Sequence, residues 1–255
     1  MPVNRFFVNQ LLDHTLSTIT LIDEEYQHLK TSRIKQKDLV TLIDGHGNLV
    51  TAALMHQERQ SCELKIVESE HFPRNKVQLT LAQAYPRLKR LDYIIEKSVE
   101  LGVDKFILFP GEKSEKKNIS DHQVNRIKNI MQAALKQCGR YYLPSLEFED
   151  ALFNLPSASP DRLILYGDVN EEASLFKKVW KERVDAKSSI QEVIFIVGPE
   201  SGLSHKEIQY LNNSIRGVGV KLADSILRTD TAPIVAMSLI QHELLSFSNE
   251  QCHRK

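Results

Sequence analysis

Hydrophobic and polar positions along the chain fall into two regimes, and the change comes near residue 70. Before it, apolar residues sit in short β-rich pieces at 6–8, 19–21, 39–43, 49–55 and 63–67, interrupted by one short helix over 23–29. The turn Asp44-Gly-His-Gly47 joins the third and fourth pieces, and Asp-Gly between apolar runs predicts a hairpin. Short strands at this density predict a small barrel or curled sheet. Residues 68–76, with Pro73 among them, read as a linker. From Val77 onward the period alternates, with strands at 77–84, 103–109, 162–166, 193–197 and 217–221 and helices at 88–101, 121–138, 171–180, 204–213 and 230–245. Alternation of this kind predicts a parallel sheet covered by helices. The chain thus divides into an N-terminal β domain over 1–70 and an α/β domain over 75–248, with 153–161, rich in Ser and Pro, as a surface loop.

Composition narrows the partners. Lys+Arg and Asp+Glu are 33 each in 255 residues, so no global field attracts a polyanion, and local patches must do so. Three cysteines, Cys62, Cys138 and Cys252, are odd in number and far apart, which suits neither a disulfide framework nor a metal site and points to a reducing cytosol. His14, His28, His46 and the other histidines lack ligand spacing, so no metal is expected. No run approaches the roughly 20 apolar residues that span a bilayer. A soluble cytoplasmic protein with no membrane contact, processed at neither end, is expected.

Two segments carry the chemistry. In the first, the continuous apolar run Val193–Val197 reads as a strand buried on both faces, and it breaks into Gly198-Pro-Glu-Ser-Gly-Leu203. Gly198 and Gly202 permit close backbone approach, Pro199 stiffens the turn, and Ser204-x-x-Glu207 is a capping box that starts the next helix. The second segment, Leu222-Ala-Asp-Ser-Ile-Leu-Arg-Thr-Asp-Thr-Ala232, also follows a strand and precedes a helix. Both loops open at the carboxyl ends of neighbouring strands, where open α/β sheets bind ligands. The residues alone leave a phosphate-binding loop or a well-built turn as alternatives, although no Gly-Lys-Ser/Thr and no Gly-x-Gly-x-x-Gly occurs.

The motifs together resemble the RsmE family of SPOUT methyltransferases. Gly198-Pro-Glu-Ser-Gly202 is similar to its Gly-Pro-Glu-Gly-Gly loop, and Ile226-Leu-Arg-Thr-Asp-Thr-Ala232 to its Ile-Leu-Arg-Thr-Glu-Thr-Ala segment. Arg5-Phe-Phe-Val8, Glu100-Leu-Gly-Val103 after a helix containing Lys97, and Gln137-Cys-Gly-Arg140 extend the resemblance nearly end to end. It implies a PUA-like N-terminal β-barrel that grips RNA, a SPOUT-type parallel sheet with a C-terminal trefoil knot, and a homodimer. It also implies S-adenosylmethionine-dependent methylation of N3 of one uridine in small-subunit (16S) ribosomal RNA. Three loops would hold the cofactor, through Leu165 and Gly167; Gly198, Pro199, Glu200, Gly202 and Leu203; and Leu222, Ser225, Ile226, Leu227, Thr229, Thr231 and Ala232.

The chemistry suits these residue types. Methyl transfer needs alignment and a deprotonated nitrogen, and a cation stabilises the uridylate charge. Arg228 is the first candidate for that cation and Arg140 the second, with Glu200 as proton acceptor or positioning group. Bland alternatives are a helix-dipole role for Glu200, an ion pair for Arg228, and capping roles for Thr229, Asp230 and Thr231. RNA phosphates would meet Arg87, Lys89 and Arg90, Arg33 and Lys35 in the barrel, and Arg5 by family position. Lys113-Ser-Glu-Lys-Lys117 reads as a solvated charged loop, and Tyr85 is the candidate to stack a flipped uracil.

Departures from the family pattern are Ser201 and Lys37, each where a Gly is usual, Asp230 for Glu, Lys113 for Arg, and Pro233 after the Thr-Thr-Ala motif. None removes a group the reaction requires. Rival functions are a SPOUT enzyme acting on another RNA nucleotide, an RNA-binding scaffold without catalysis, and a different α/β nucleotide enzyme.

Overall fold

The computed structural model describes residues 4–13, 15–184 and 190–252, with the side chains of 247–252 left aside. His14 and the Cys252 side chain, named above, lie outside the described residues. The chain forms two compact units, one of residues 1–74 and 131–143, the other of 75–130 and 144–255.

In the first unit, strands β1 (Arg5–Phe7), β2 (Thr18–Ile22), β3 (Leu39–Ile43), β4 (Asn48–Gln57) and β5 (Ser61–His71) form one mixed sheet in the order β1-β3-β4-β5-β2. It is curled into a half-barrel. β1 pairs parallel with β3 and every other pair is antiparallel. Helix α1 (Asp23–Thr31) buries Tyr26 and Leu29 among Phe6, Leu42, Val50 and Leu64. The predicted hairpin forms between β3 and β4, and its turn is built on Asp44. That carboxylate, 3% exposed, accepts from the amides of Leu12, His46 and Asn48 and from the Asn48 side chain.

The expected linker over 68–76 is corrected in its first half. β5 continues to His71, because Glu68 to His71 pair with Thr51 to Asn48. Lys37 takes a positive φ of 73° while its amide donates to Leu54 O at 2.8 Å. A left-handed lysine carries a steric cost of roughly 1–2 kcal/mol that glycine lacks. Lys37→Gly is therefore expected to raise the stability of this unit by about 1 kcal/mol, less the entropy that glycine adds to the unfolded chain. Chemical denaturation of the two proteins checks this, and an unchanged or lower midpoint would count against strain at residue 37.

The second unit holds six parallel strands, β6 (Gln78–Ala84), β7 (Lys105–Phe109), β8 (Ser145–Phe148), β9 (Arg162–Gly167), β10 (Glu192–Val197) and β11 (Val218–Val220). Their order is β11-β9-β10-β6-β7-β8. Its described helices are α2 (Leu88–Glu100), α4 (Phe176–Arg183), α5 (His205–Asn213) and α6 (Ala232–Cys252), while α3 (Asp121–Cys138) begins in this unit and ends in the first. α2 buries Leu91, Ile94, Ile95, Ser98 and Val99, the helical spacing of an inward stripe. The central strands β6, β9 and β10 are buried almost throughout; β9 and β10 carry the unbroken apolar runs of strands covered on both faces, while β6 also buries Thr80 and Gln83.

One expectation for this unit is corrected, and one strand is added to it. The helix predicted over 171–180 starts only at Phe176, because the backbone of 174–176 is committed elsewhere: Lys221 N donates to Ser174 O and Phe176 N to Lys221 O. β8 was not predicted, since Ser-Leu-Glu-Phe is short, has no buried residue and lies at the sheet edge. From β6 the sheet grows outward through β7 and β8, then restarts on the other side with β9, β10 and β11. The reversal lies between β6 and β10, and a crevice at the carboxyl ends of the strands opens at such a point.

Candidate functional site

A cleft of about 750 Å³, within the range of small-molecule sites, lies beside that point at the carboxyl ends of β9, β10 and β11. Three loops line it, namely 166–171 after β9, 196–203 after β10 and 220–229 after β11, the last continuing to Ala232. The parallel register brings them together: Ile196 lies opposite Tyr166, Val197 opposite Gln83, and Val220 opposite Gly167. Its walls are apolar at Ile196, Val197, Leu203, Ile208, Leu222 and Leu227, with Asp168, Glu171, Glu200 and Asp224 as carboxylates and Arg90, Lys113, Lys221 and Arg228 as cations.

The 198–203 loop is tightly built. A Cβ added at Gly198 would stand 2.8 Å from Leu203 N, so only glycine fits. The left-handed position is Gly202, at φ 69°, and its amide closes a turn on Pro199 O at 2.9 Å. Ser201 does not take a positive φ, so its departure from the family pattern brings no strain there. The capping box forms as predicted: Glu207 N donates to Ser204 Oγ at 3.1 Å, and Ser204 N to Glu207 Oε2 at 2.7 Å. Glu207, 1% exposed, also accepts from Glu112 N at 2.9 Å and so anchors the loop after β7 to the start of α5.

Thr229 joins this loop to the next. Its hydroxyl donates to Gly198 O at 2.8 Å, and the buried Gln83 side chain reaches both Gly198 O and Thr229 Oγ1. The amides of Thr231 and Ala232 donate to Arg228 O, which turns the chain into α6 with Pro233 in its first turn, where the missing N–H costs nothing. Asp168 is held by its amide on Val220 O. Tyr166 lines the floor, with its hydroxyl donating to Asn212 Oδ1 at 2.7 Å. Burial is the main cause pushing its phenol above the usual tyrosine range.

Most predicted cofactor residues line the cleft, from Gly167 through Gly198, Pro199, Glu200, Gly202 and Leu203 to Leu222, Ser225, Ile226, Leu227, Thr229 and Ala232. Leu165 and Thr231 do not. Leu165 is fully buried inside β9, and Thr231 is exposed at the turn into α6. The structure adds Asn170, Lys221, Ala223 and Lys113 to the lining.

Among the proposed catalytic groups, Arg228 lies exposed in the cleft wall, and its guanidinium has no hydrogen bond or ion pair among the described residues. Arg140 belongs to the other unit, where its carbonyl accepts from Arg5 Nη1 at 3.3 Å, and it is not part of the cleft lining. Glu200 faces the start of α2 and not its own following helix. It accepts from Arg87 N at 3.0 Å, and Arg90 Nε lies 3.4 Å away.

The basic residues separate by exposure. Arg33, Lys35 and Lys89 are exposed, and Arg87 is exposed but paired with Glu115, whose carboxyl it holds below the usual range. Arg5 is 9% exposed and lies 5.5 Å over the Tyr141 ring, an internal placement. One reading is corrected and one is extended. Tyr85 is 6% exposed, its amide bonded to Phe109 O, so its ring has no face open to a base. The charged residues of the 113–117 loop are exposed as expected, but two of them also tie it down: Lys113 Nζ donates to Ser201 O and Leu203 O, and Lys117 Nζ to Gly111 O and Glu112 O. Among the described residues, no three His, Cys, Asp or Glu side chains gather as a metal site, and no helix is long and apolar enough to cross a membrane.

Parallel strands that reverse their order beside three converging glycine and threonine loops define an α/β domain shaped for a small ligand. The RNA methyltransferase domain model matches residues 73–241. Ribosomal RNA small subunit methyltransferase E of Mesomycoplasma hyopneumoniae is 28% identical over 244 residues, covering 92% of this chain and 97% of that protein. The Mycobacterium bovis protein of the same name is 24% identical, over 92% of this chain and 90% of that protein. The crystal structure of a ribosomal RNA small subunit methyltransferase E from Neisseria gonorrhoeae bound to S-adenosyl methionine superposes with a TM-score of 0.81 at 26% identity, covering 94% of this chain and 97% of that one. The chain belongs to the RNA methyltransferase domain family and, within it, to the RsmE family.

Proposed function

We propose that this protein methylates N3 of a uridine in 16S ribosomal RNA, using S-adenosylmethionine held in the cleft after β9, β10 and β11. The observation that carries this reading is the cleft itself. A tightly folded loop at Gly198 whose own backbone leaves no room for a Cβ, apolar walls, and a rim of carboxylates suit a flat, partly apolar ligand with a cationic end. Gly167, Gly198, Leu203, Leu222, Leu227 and Ala232 would form its bed, with Asp168 and Glu171 toward its polar groups. When bound, the cofactor supplies a methyl group on a sulfonium, an electrophile that needs no covalent link to the protein.

The residues of this chain do the rest. Arg228 offers an unpaired guanidinium at the cleft wall and stabilises the uridylate anion that forms as N3 gives up its proton to solvent water. Glu200 takes the positioning role, since it holds the start of α2 against the 198–203 loop. Arg140 remains the second candidate cation. Exposed Arg33, Lys35, Arg87 and Lys89 meet RNA phosphates, and Arg5 supports that surface from beneath. We also assign residues 1–70 to a PUA-like RNA-binding domain and 75–248 to a SPOUT domain, with α6 threaded as a trefoil knot, in a cytoplasmic homodimer.

The test is transfer of labelled methyl from S-adenosylmethionine to ribosomal subunits that lack modification, followed by nucleoside analysis. N3-methyluridine in small-subunit RNA is the expected product. Another methylated nucleoside would move the reading to a different RNA target, and no transfer by the folded protein would move it to a binding scaffold.

A further inference from the structure

We infer that Arg90 is a positioning residue that latches two cofactor loops to each other, an inference that rests on the methyltransferase reading above. Arg90 sits in the first turn of α2, where the helix dipole disfavours a cation, so helix stability does not explain it. Its guanidinium stands between two carboxylates from different loops, with Nε 3.4 Å from Glu200 Oε1 and Nη1 3.5 Å from Asp230 Oδ1. Both carboxylates are 24% exposed and Arg90 29%, so all three are partly withdrawn from solvent. Asp230 Oδ1 is buried and makes no hydrogen bond, which leaves the nearby guanidinium as its compensation.

The two loops are joined at two depths. The inner link is Thr229 Oγ1 on Gly198 O, supported by Gln83. The outer link is Glu200–Arg90–Asp230, and Arg90 and Glu200 face the cleft directly. Without the guanidinium, one carboxylate oxygen is left buried without compensation and two like charges share one place, so the outer edges of the loops part while their roots stay fixed. Arg90 therefore acts inside the protein on cofactor binding. Lys89, which is exposed and carries no ion pair among the described residues, is left for phosphate.

The experiment compares the full-length protein with Arg90→Ala, Arg90→Lys, Asp230→Asn and the double variant Arg90→Ala/Asp230→Asn. Amide hydrogen exchange without cofactor reads the latch directly. Faster exchange over 198–203 and 224–231 is expected in Arg90→Ala, and partial recovery in Arg90→Lys. Cofactor affinity, by calorimetry, is expected to fall about tenfold, with no change in subunit KM or in its salt dependence, and the double variant should be no worse than Arg90→Ala alone. Unchanged loop exchange, additive losses, or a salt slope reduced by about one with cofactor affinity intact would overturn the latch; the last would make Arg90 a phosphate contact. Should Arg90→Ala fail to fold, Asp230→Asn reads the same exchange. A wild-type protein that binds no S-adenosylmethionine would sink the methyltransferase reading, while the exchange comparison would still decide the latch.

Discussion

Replacing Arg228 with alanine is expected to slow single-turnover methyl transfer by about 100- to 1000-fold, the range for removing one group that stabilises charge in a transition state. The expectation rests on two facts. Arg228 lies in the wall of the cleft, and its guanidinium has no partner among the described residues, whereas Arg90, Lys113 and Lys221 nearby are committed to protein atoms. An unengaged cation beside a reaction that generates an anion contributes in proportion to the charge that develops. Its loss therefore falls on the chemical step more than on RNA affinity. Single-turnover rates at saturating cofactor and subunit, set beside subunit binding, separate the two. Loss of binding with an unchanged single-turnover rate would remove Arg228 from the reaction and make it an RNA contact.

What could be read in the sequence is what depends on neighbours along the chain. The unbroken apolar run 193–197 marked β10, Asp44-Gly45 marked the hairpin, and Ser204 with Glu207 marked the start of α5, each through interactions within a few residues. The cleft was legible to the same extent, because its loops follow directly on strands. What stayed hidden depends on residues far apart. Lys113 reads as solvated by its neighbours, yet it caps carbonyls of residues 201 and 203. Residues 171–175 have helical composition, but pairing near Lys221 withdraws the 174–176 backbone. Leu165 looked like a cleft residue from its place in a motif, but it lies one step too far inside the strand: the cleft opens at the carboxyl end of β9, where Tyr166 and Gly167 line it and Leu165 is still enclosed by the sheet. The Glu200–Arg90–Asp230 arrangement joins segments more than 100 residues apart, and no local pattern announces it.

The glycines of the 198–203 loop provide the sharpest test of the cradle, since two of them are glycine for different reasons. A Cβ at Gly198 would meet Leu203 N at 2.8 Å and Gly202 C at 3.0 Å, and both are backbone atoms of the same loop. Gly198→Ala must therefore push apart the turn that Gly202 closes on Pro199, and must disturb the Gly198 carbonyl that Thr229 and Gln83 hold. Cofactor affinity is expected to fall by about 100-fold, equivalent to roughly 2.7 kcal/mol. At Gly202 nothing lies within 4 Å of an added Cβ, and the only cost is the positive φ of 69°. Gly202→Ala carries roughly 1–2 kcal/mol of backbone strain without filling space. It should lower stability by about that amount but weaken cofactor binding less than tenfold. Calorimetric titration of both variants with S-adenosylmethionine, beside their thermal unfolding, sets the two costs apart. If Gly202→Ala lost as much affinity as Gly198→Ala at equal stability, the cradle would depend on turn conformation more than on close approach of the backbone at residue 198.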